Sequence, residues 1–280
     1  MKNIFVVGAG TMGLDIAQVF CAAGLDVTVY DMTDAIIAKS AERLEKGLAK
    51  RVAKGKMTED EKAAMINGIE FTTQYDKAKD ADLIIEAIIE SVEVKKTVFR
   101  NLDTICPPET IFATNTSSIS ITEIAAATAR ADKFIGMHFF NPATVMKLVE
   151  VIRGMATSDE TFSTVYALAE RIGKTPVQVQ EAPGFVVNRI LIPMINEAIG
   201  LVAEGVASAE DIDTAMKLGA NHPMGPLALG DLIGLDVVLA IMDTLYKETG
   251  DSKYRAHTLL RKMVRANLLG RKSGKGFYQY

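Results

Sequence analysis

A chain of 280 residues, 49% of them apolar, has room for one large domain or two moderate ones and for a sizeable buried core. A formal net charge of −4 argues against a nucleic-acid-binding protein as a whole while leaving room for a local basic patch, and no uncharged apolar run is long enough to span a bilayer. Cys21 and Cys106 have no close Cys or His partner, so they read as structural thiols of a reducing compartment, and no metal site is expected.

The first element is the apolar run Ile4-Phe5-Val6-Val7, which begins almost at Met1, so no signal or transit peptide is expected and the cytoplasm is the predicted location. Directly behind it stands Gly8-Ala9-Gly10-Thr11-Met12-Gly13, and a helical pattern follows. Strand, glycines and helix in this order form a dinucleotide-binding fingerprint when an acidic residue closes the second strand. Asp31 does so, directly after Val27-Thr28-Val29-Tyr30. Gly8 is expected to permit the tight turn, Gly10 to let the backbone approach a pyrophosphate, and Gly13 to let the helix pack on the strand. The free N–H groups of the helix amino terminus then face the phosphates. The Asp31 carboxylate suits a ribose hydroxyl and repels a 2′-phosphate, which favours NAD over NADP.

Between Asp31 and Ile69 the chain is longer than one crossover helix needs, since a whole strand-helix-strand unit takes about 30 residues. The excess, Lys39 through Lys62, reads as a helical hairpin standing away from the sheet. Lys46, Lys50, Arg51, Lys54 and Lys56 cluster in its first arm, while Glu59, Asp60 and Glu61 open the second. Two readings stay open at this point: a solvated helix pair, or a seat for a compact polyanion with Lys50 and Lys54 on one helix face and Arg51 nearby.

Strands are predicted at 3–7, 27–30, 69–71, 83–86, 111–114, 134–138, 148–152 and 176–180, separated by amphipathic helix patterns. The strand pattern ends at Glu181-Ala182-Pro183-Gly184 and does not return. The run from Phe185 to Val202 is apolar nearly all round, which predicts a helix buried on most faces, kinked at Pro193 and partly covered by a second subunit. Ser208 with Asp211 marks a helix start and Gly219 a stop, and further helices are predicted at 235–246 and 255–268. The last residues, 270–278, read as a flexible, solvated basic tail. The expected fold class is therefore α/β, a Rossmann-type doubly wound, mostly parallel sheet with a helical hairpin insertion, followed by an all-α C-terminal domain. The dinucleotide-binding domain is placed at 1–184 and a helical substrate and dimerisation domain at 185–280.

Ligands of open parallel sheets sit beyond the carboxyl ends of the strands, so the polar residues there are the candidates for chemistry. Three groups qualify: Glu86 to Glu90, Asn115-Thr116-Ser117-Ser118, and His138-Phe139-Phe140-Asn141-Pro142. His138 is the one histidine so placed; His222 and His257 read as structural or solvated. An imidazole, with an unperturbed pKa of about 6.5, suits removal of a hydroxyl proton while hydride leaves the neighbouring carbon. Glu150, an acid among apolar neighbours in Leu148-Val149-Glu150-Val151-Ile152, suits the task of orienting it. The alternative for Glu150 is simple alternation on a half-exposed strand.

The glycine loop, Asn115-Thr116-Ser117-Ser118, His138 to Pro142 with Glu150, and Pro183-Gly184-Phe185-Val186-Val187-Asn188-Arg189 together resemble the L-3-hydroxyacyl-CoA dehydrogenase family, and the likeness runs the whole chain. The resemblance is to its compact form without a fused hydratase. It implies an NAD-dependent oxidoreductase that interconverts (S)-3-hydroxybutyryl-CoA and acetoacetyl-CoA, while the apolar helix after Asn188 argues for a homodimer. It implies His138 as base with Glu150 as its partner, and Ser117 and Asn188 as donors around the substrate oxygen and thioester. For the cofactor it implies Gly8, Ala9, Gly10, Thr11, Met12 and Gly13 with Asp31, Glu90, Lys95, Asn115, Ser117, Asn141 and Lys272. For the phosphates of coenzyme A it implies Lys54, with Lys50 and Arg51; the hydroxyl residue that the family can carry in this hairpin is replaced here by Gly47. Two other readings compete on the same scaffold: a dehydrogenase of free hydroxy acids, which needs no basic hairpin, and an NAD-binding sensor without turnover.

Overall fold

Branched residues in short runs, alternating with amphipathic stretches, build the first part of the chain as β1 (Asn3–Val7), α1 (Thr11–Ala22), β2 (Asp26–Tyr30), α2 (Asp34–Ala53), α3 (Glu59–Asn67), β3 (Ile69–Thr72), β4 (Leu83–Glu86), α4 (Val92–Asp103), β5 (Ile111–Thr114), α5 (Ile121–Ala125), β6 (Phe134–Phe139), β7 (Leu148–Arg153), α6 (Asp159–Arg171) and β8 (Thr175–Gln180). The computed structural model describes residues 1–280 and separates into two units, Met1–Glu181 and Ala182–Tyr280. The boundary falls at Glu181 rather than Gly184 because Glu181 is tied into the first unit. Its carboxylate accepts from the hydroxyls of Ser120 and Thr122 and, at 3.2 Å, from the Thr122 N–H.

The eight strands form one sheet in the order β3-β2-β1-β4-β5-β6-β7-β8. β1 pairs in parallel with β2 on one side and β4 on the other, so the chain reverses direction of travel there and opens a crevice beyond the carboxyl end of β1. One pair is antiparallel: β6 with β7. Residues 140–147 join them, too few for a crossover, which takes a dozen or more.

On one face of the sheet Val6, Val27, Val29, Leu83 and Ile85 pack with Leu14, Ile16 and Phe20 of α1 and with Val165 and Leu168 of α6. Each such buried side chain contributes about 1.5–3 kcal/mol. α2 and α3 form the expected hairpin, with Thr33 capping α2 by accepting from the Ile36 N–H and a Thr58/Glu61 capping box opening α3. The hairpin does not stand clear of the sheet. Leu44, Leu48 and Met65 belong to the main core, because Ser40, Leu44 and Leu48 at spacing four point one stripe of α2 inward. Its far end, with Lys50, Arg51 and Lys54, is exposed. Both cysteines are free, and burial pushes the Cys106 thiol up to about 11, so it stays protonated.

The second unit is helical: α7 (Val187–Ala203), α8 (Ala209–Gly219), α9 (Pro226–Ile233), α10 (Leu235–Thr249) and α11 (Thr258–Arg265). Ile192, Ile195, Ala198 and Ile199 of α7 join Leu227, Leu235, Val238, Met242 and Leu260 in its core. α7 is buried on one side only and runs unbroken through Pro193, with Ile190 69% exposed, so the expectation of burial on most faces is corrected within one chain. α11 starts at Thr258 rather than Arg255 because the His257 ring caps it, Nδ1 accepting from the Leu259 N–H at 3.1 Å. The tail is ordered rather than flexible. Buried Asp231 accepts from the N–H groups of Phe277 and Tyr278 at 3.0 and 2.9 Å, and the Tyr278 hydroxyl donates to Asp213 at 2.8 Å. A Cβ on Gly276 would lie 2.0 Å from an Asp231 oxygen, so this glycine is required by the close approach.

Candidate active site

The turn between β1 and α1 shows why its glycines are glycines. Gly8 has φ of +108°, and a Cβ there would lie 2.7 Å from the Ala87 carbonyl oxygen. A Cβ on Gly13 would lie 1.8 Å from the Gly8 carbonyl oxygen, so the helix can approach the turn only with glycine. Gly10 is different: nothing lies within 4 Å of the Cβ position, so protein packing does not demand a glycine there. α1 has no side-chain cap at Gly10 and no acidic residue in its first turn, which leaves its amino-terminal N–H groups and dipole available to an anion. Asp31 at the end of β2 is oriented by the same turn, Oδ2 accepting from Ala9 N–H at 2.8 Å and Oδ1 from Met32 N–H at 2.7 Å. These residues fit the diphosphate and ribose of NAD.

Two residues that sequence reasoning did not single out hold this turn from α2. The Ser40 hydroxyl donates to the Ala9 carbonyl at 2.6 Å, and the Arg43 guanidinium donates to the Gly10 carbonyl at 2.7 Å and to the Thr11 hydroxyl at 3.1 Å. A polar residue at the head of the inward stripe Ser40-Leu44-Leu48 was the available signal; Arg43 left none.

Beyond β4, the carboxylate of Glu86 is wholly buried, accepting from the Thr114 hydroxyl at 2.7 Å and the Ile88 N–H at 2.7 Å. It also binds the Lys95 ammonium at 2.6 Å. Lys95 also reaches Glu90 at 3.3 Å, with 1% of its side chain exposed. Glu90 in turn accepts from the Thr116 hydroxyl at 2.5 Å and from the N–H groups of Ser117 and Ser118 at 2.9 and 3.3 Å. Burial opposes ionisation of Glu90, but the Lys95 ammonium and the Thr116 and Ser117 donors hold its carboxyl below the ordinary range. The loop carrying Ser117 is thereby fixed.

His138 lies near the end of β6, and the antiparallel register sets it directly opposite Glu150 of β7. Residues directly opposite on such a pair face each other on one side of the sheet. His138 Nδ1 and Glu150 Oε2 are 2.7 Å apart, both side chains buried, with Glu150 1% exposed rather than half-exposed. A carboxylate acceptor assigns the proton to Nδ1 and leaves Nε2 as the basic nitrogen. The Asn115 Oδ1 accepts from the Phe139 N–H at 2.8 Å and ties the end of β5 to β6. Asn141 is exposed just beyond β6.

This is the arrangement of a nicotinamide-dependent dehydrogenase, and the comparisons name the family. The family model described as "3-hydroxyacyl-CoA dehydrogenase, NAD binding domain" matches residues 3–182, and "3-hydroxyacyl-CoA dehydrogenase, C-terminal domain" matches residues 184–280. The chain belongs to the 3-hydroxyacyl-CoA dehydrogenase family. It is similar to the 3-hydroxybutyryl-CoA dehydrogenase of Clostridioides difficile, 62% identical with 99% of both chains covered. It is also similar to the human mitochondrial hydroxyacyl-coenzyme A dehydrogenase, 46% identical over 100% of this chain and 91% of that one. Among solved structures, the (S)-3-hydroxybutyryl-CoA dehydrogenase from Ralstonia eutropha superposes with a TM-score of 0.96 at 51% identity, covering 100% of this chain and 99% of that one. As a member of the 3-hydroxyacyl-CoA dehydrogenase family, the protein is an NAD-dependent oxidoreductase built on a Rossmann-type sheet with a helical C-terminal unit.

Two of the residues that the resemblance assigned lie in the second unit. Asn188 stands in the first turn of α7, and the Lys272 ammonium forms an ion pair with Asp236.

Proposed function

We propose that this dehydrogenase interconverts (S)-3-hydroxybutyryl-CoA and acetoacetyl-CoA, with His138 exchanging the proton. The observation that carries this reading is the buried 2.7 Å contact between His138 Nδ1 and Glu150. In the oxidative direction His138 Nε2 takes the proton of the C3 hydroxyl while the C3 hydride departs, and the Glu150 carboxylate stabilises the imidazolium that forms. NAD supplies the hydride acceptor when bound. Reduction reverses both transfers, with the imidazolium as acid. Ser117 orients the reacting oxygen on the loop that Glu90 fixes, and Asn188 the thioester carbonyl. Asp31 receives the adenosine ribose, and Asn115, Glu90, Lys95, Asn141 and Lys272 act on the cofactor side, Lys95 through its carboxylate partners.

The exposed end of the hairpin supports the CoA ester over the free acid. Lys50, Arg51 and Lys54 stand there as a cluster that phosphates can neutralise, while Gly47 offers no hydroxyl for a further contact. The exposed Ile190 on α7 supports a homodimer through the helical unit. No helix is long and apolar enough to cross a membrane, and two free thiols fit a reducing cytoplasm.

The deciding experiment follows nicotinamide absorbance with NADH and acetoacetyl-CoA, alongside NAD with free 3-hydroxybutyrate and sugar acids. Turnover of the thioester alone is expected. Equal or better turnover of a free hydroxy acid would overturn the substrate assignment, and no turnover of any would favour a sensor.

A further inference from the structure

We propose that Arg43 is a cofactor-binding residue: it supplies the fixed positive charge of the diphosphate site and clamps the turn that forms it. The proposal rests on NAD being the cofactor and is independent of which hydroxyacyl substrate is turned over.

Arg43 sits one turn along α2 from Ser40, on a helix that in sequence belongs to the hairpin. Other cations of that hairpin pair with neighbours on their own helix, Lys46 with Glu42 and Lys62 with Glu59. Arg43 instead makes its side-chain hydrogen bonds to the glycine turn: the carbonyls of Gly10 at 2.7 Å and Ala9 at 3.4 Å and the hydroxyl of Thr11 at 3.1 Å. Those three residues form the junction of turn and helix; the Ala9 N–H donates to Asp31, while the helix start at Gly10 has no side-chain cap and no acidic residue in its first turn. Two of the three acceptors are backbone carbonyls, so the guanidinium fixes the peptide planes of the turn. The guanidinium keeps N–H groups beyond those bonds, since it has five donors in a fixed fork.

Charge bookkeeping around the turn points the same way. Asp31 brings one negative charge to Ala9 N–H on one side of the turn, and the cofactor diphosphate adds two more. α1 offers only the partial charge of its dipole, about half a unit. Asp15, one turn further along α1, feels the Arg43 charge but is half-buried, and burial raises its carboxyl above the ordinary range. Arg43 is thus the full cation bonded directly to the turn. Its three acceptors all lie in residues 9–11, which separates it from the exposed cluster of Lys50, Arg51 and Lys54 further along the same helix.

The test is calorimetric titration of NADH into the unaltered protein, Arg43→Gln and Arg43→Lys at several salt concentrations, with no acyl-CoA present. Arg43→Gln is expected to bind NADH about three- to tenfold more weakly at low salt, the effect of one exposed charge at short range, and to show a shallower salt dependence. Arg43→Lys should keep the salt dependence and recover only part of the affinity, because a point charge cannot bridge the turn as a fork does. Thermal melting of each variant reports the clamp separately. Unchanged affinity and salt slope in Arg43→Gln would overturn the proposal, whatever happens to the melting temperature. So would a loss confined to NADPH, which would place Arg43 at a 2′-phosphate, or one confined to adenosine 3′,5′-bisphosphate, which would place it at the coenzyme A seat.

Discussion

Lys95 and His138 both lie buried near carboxyl ends of strands in the same sheet, and both bond to a glutamate, yet their surroundings differ. Lys95 is enclosed by two carboxylates, Glu86 at 2.6 Å and Glu90 at 3.3 Å, and Glu86 is further saturated by Thr114 and the Ile88 N–H. One ammonium there faces two carboxylates that also accept from hydroxyl and backbone donors, and the group ties down the Ser117 loop. His138 instead pairs through Nδ1 with Glu150 across two antiparallel strands. The first group holds a loop in place, whereas in the proposed mechanism the second exchanges the proton. Burial of a charged pair at a strand end therefore does not by itself identify a catalytic group.

The largest consequence falls on turnover. His138→Gln should lose about 10² to 10⁴ in rate while still binding NADH and keeping its melting temperature, and an active variant would remove His138 from the reaction. Glu150→Gln should lose less, since the imidazole stays but its tautomer and its cation lose support.

Next comes a change of stability. Glu86→Gln leaves the Lys95 ammonium with only half-exposed Glu90, and urea denaturation should show a loss of about 3–5 kcal/mol, as when one partner of a buried ion pair is removed. Turnover per folded molecule should fall through a higher KM for NADH as the Ser117 loop loosens. A stable Glu86→Gln protein with altered turnover would reverse the roles assigned to the two pairs.

The smallest effect concerns a third kind of cation. Exposed Lys54 neither builds nor reacts, and Lys54→Ala should raise the KM for acetoacetyl-CoA by up to about tenfold while leaving a truncated thioester unaffected. An equal effect on both substrates would end the case for a phosphate contact.

What could be read along the chain followed from short-range rules. A strand has period two, a helix 3.6, and a glycine turn between them has a fixed length, so the eight strands, the hairpin, and the turn from Gly8 to Gly13 with Asp31 were all legible. His138 and Glu150 were legible as polar residues in apolar strands. Their meeting was not, because it depends on β6 and β7 running antiparallel in a register that places residues twelve apart face to face. The ordered tail was misread for the same reason. Gly270 to Tyr278 has the local composition of a loose end, and the groups that hold it, Asp231 and Asp213, lie some forty to sixty-five residues away.

The amino-acid order alone was sufficient for most of the elements and for the cofactor turn, since each is written within a few neighbouring residues. Folding in three dimensions was needed to say which charges are saturated and which stay available: Lys95 was consumed by Glu86, and Arg43 was drawn from the hairpin to the glycine turn. Periodicity reports which face of an element is buried, but hydrogen-bond partners are chosen across space by packing, where sequence distance carries no information.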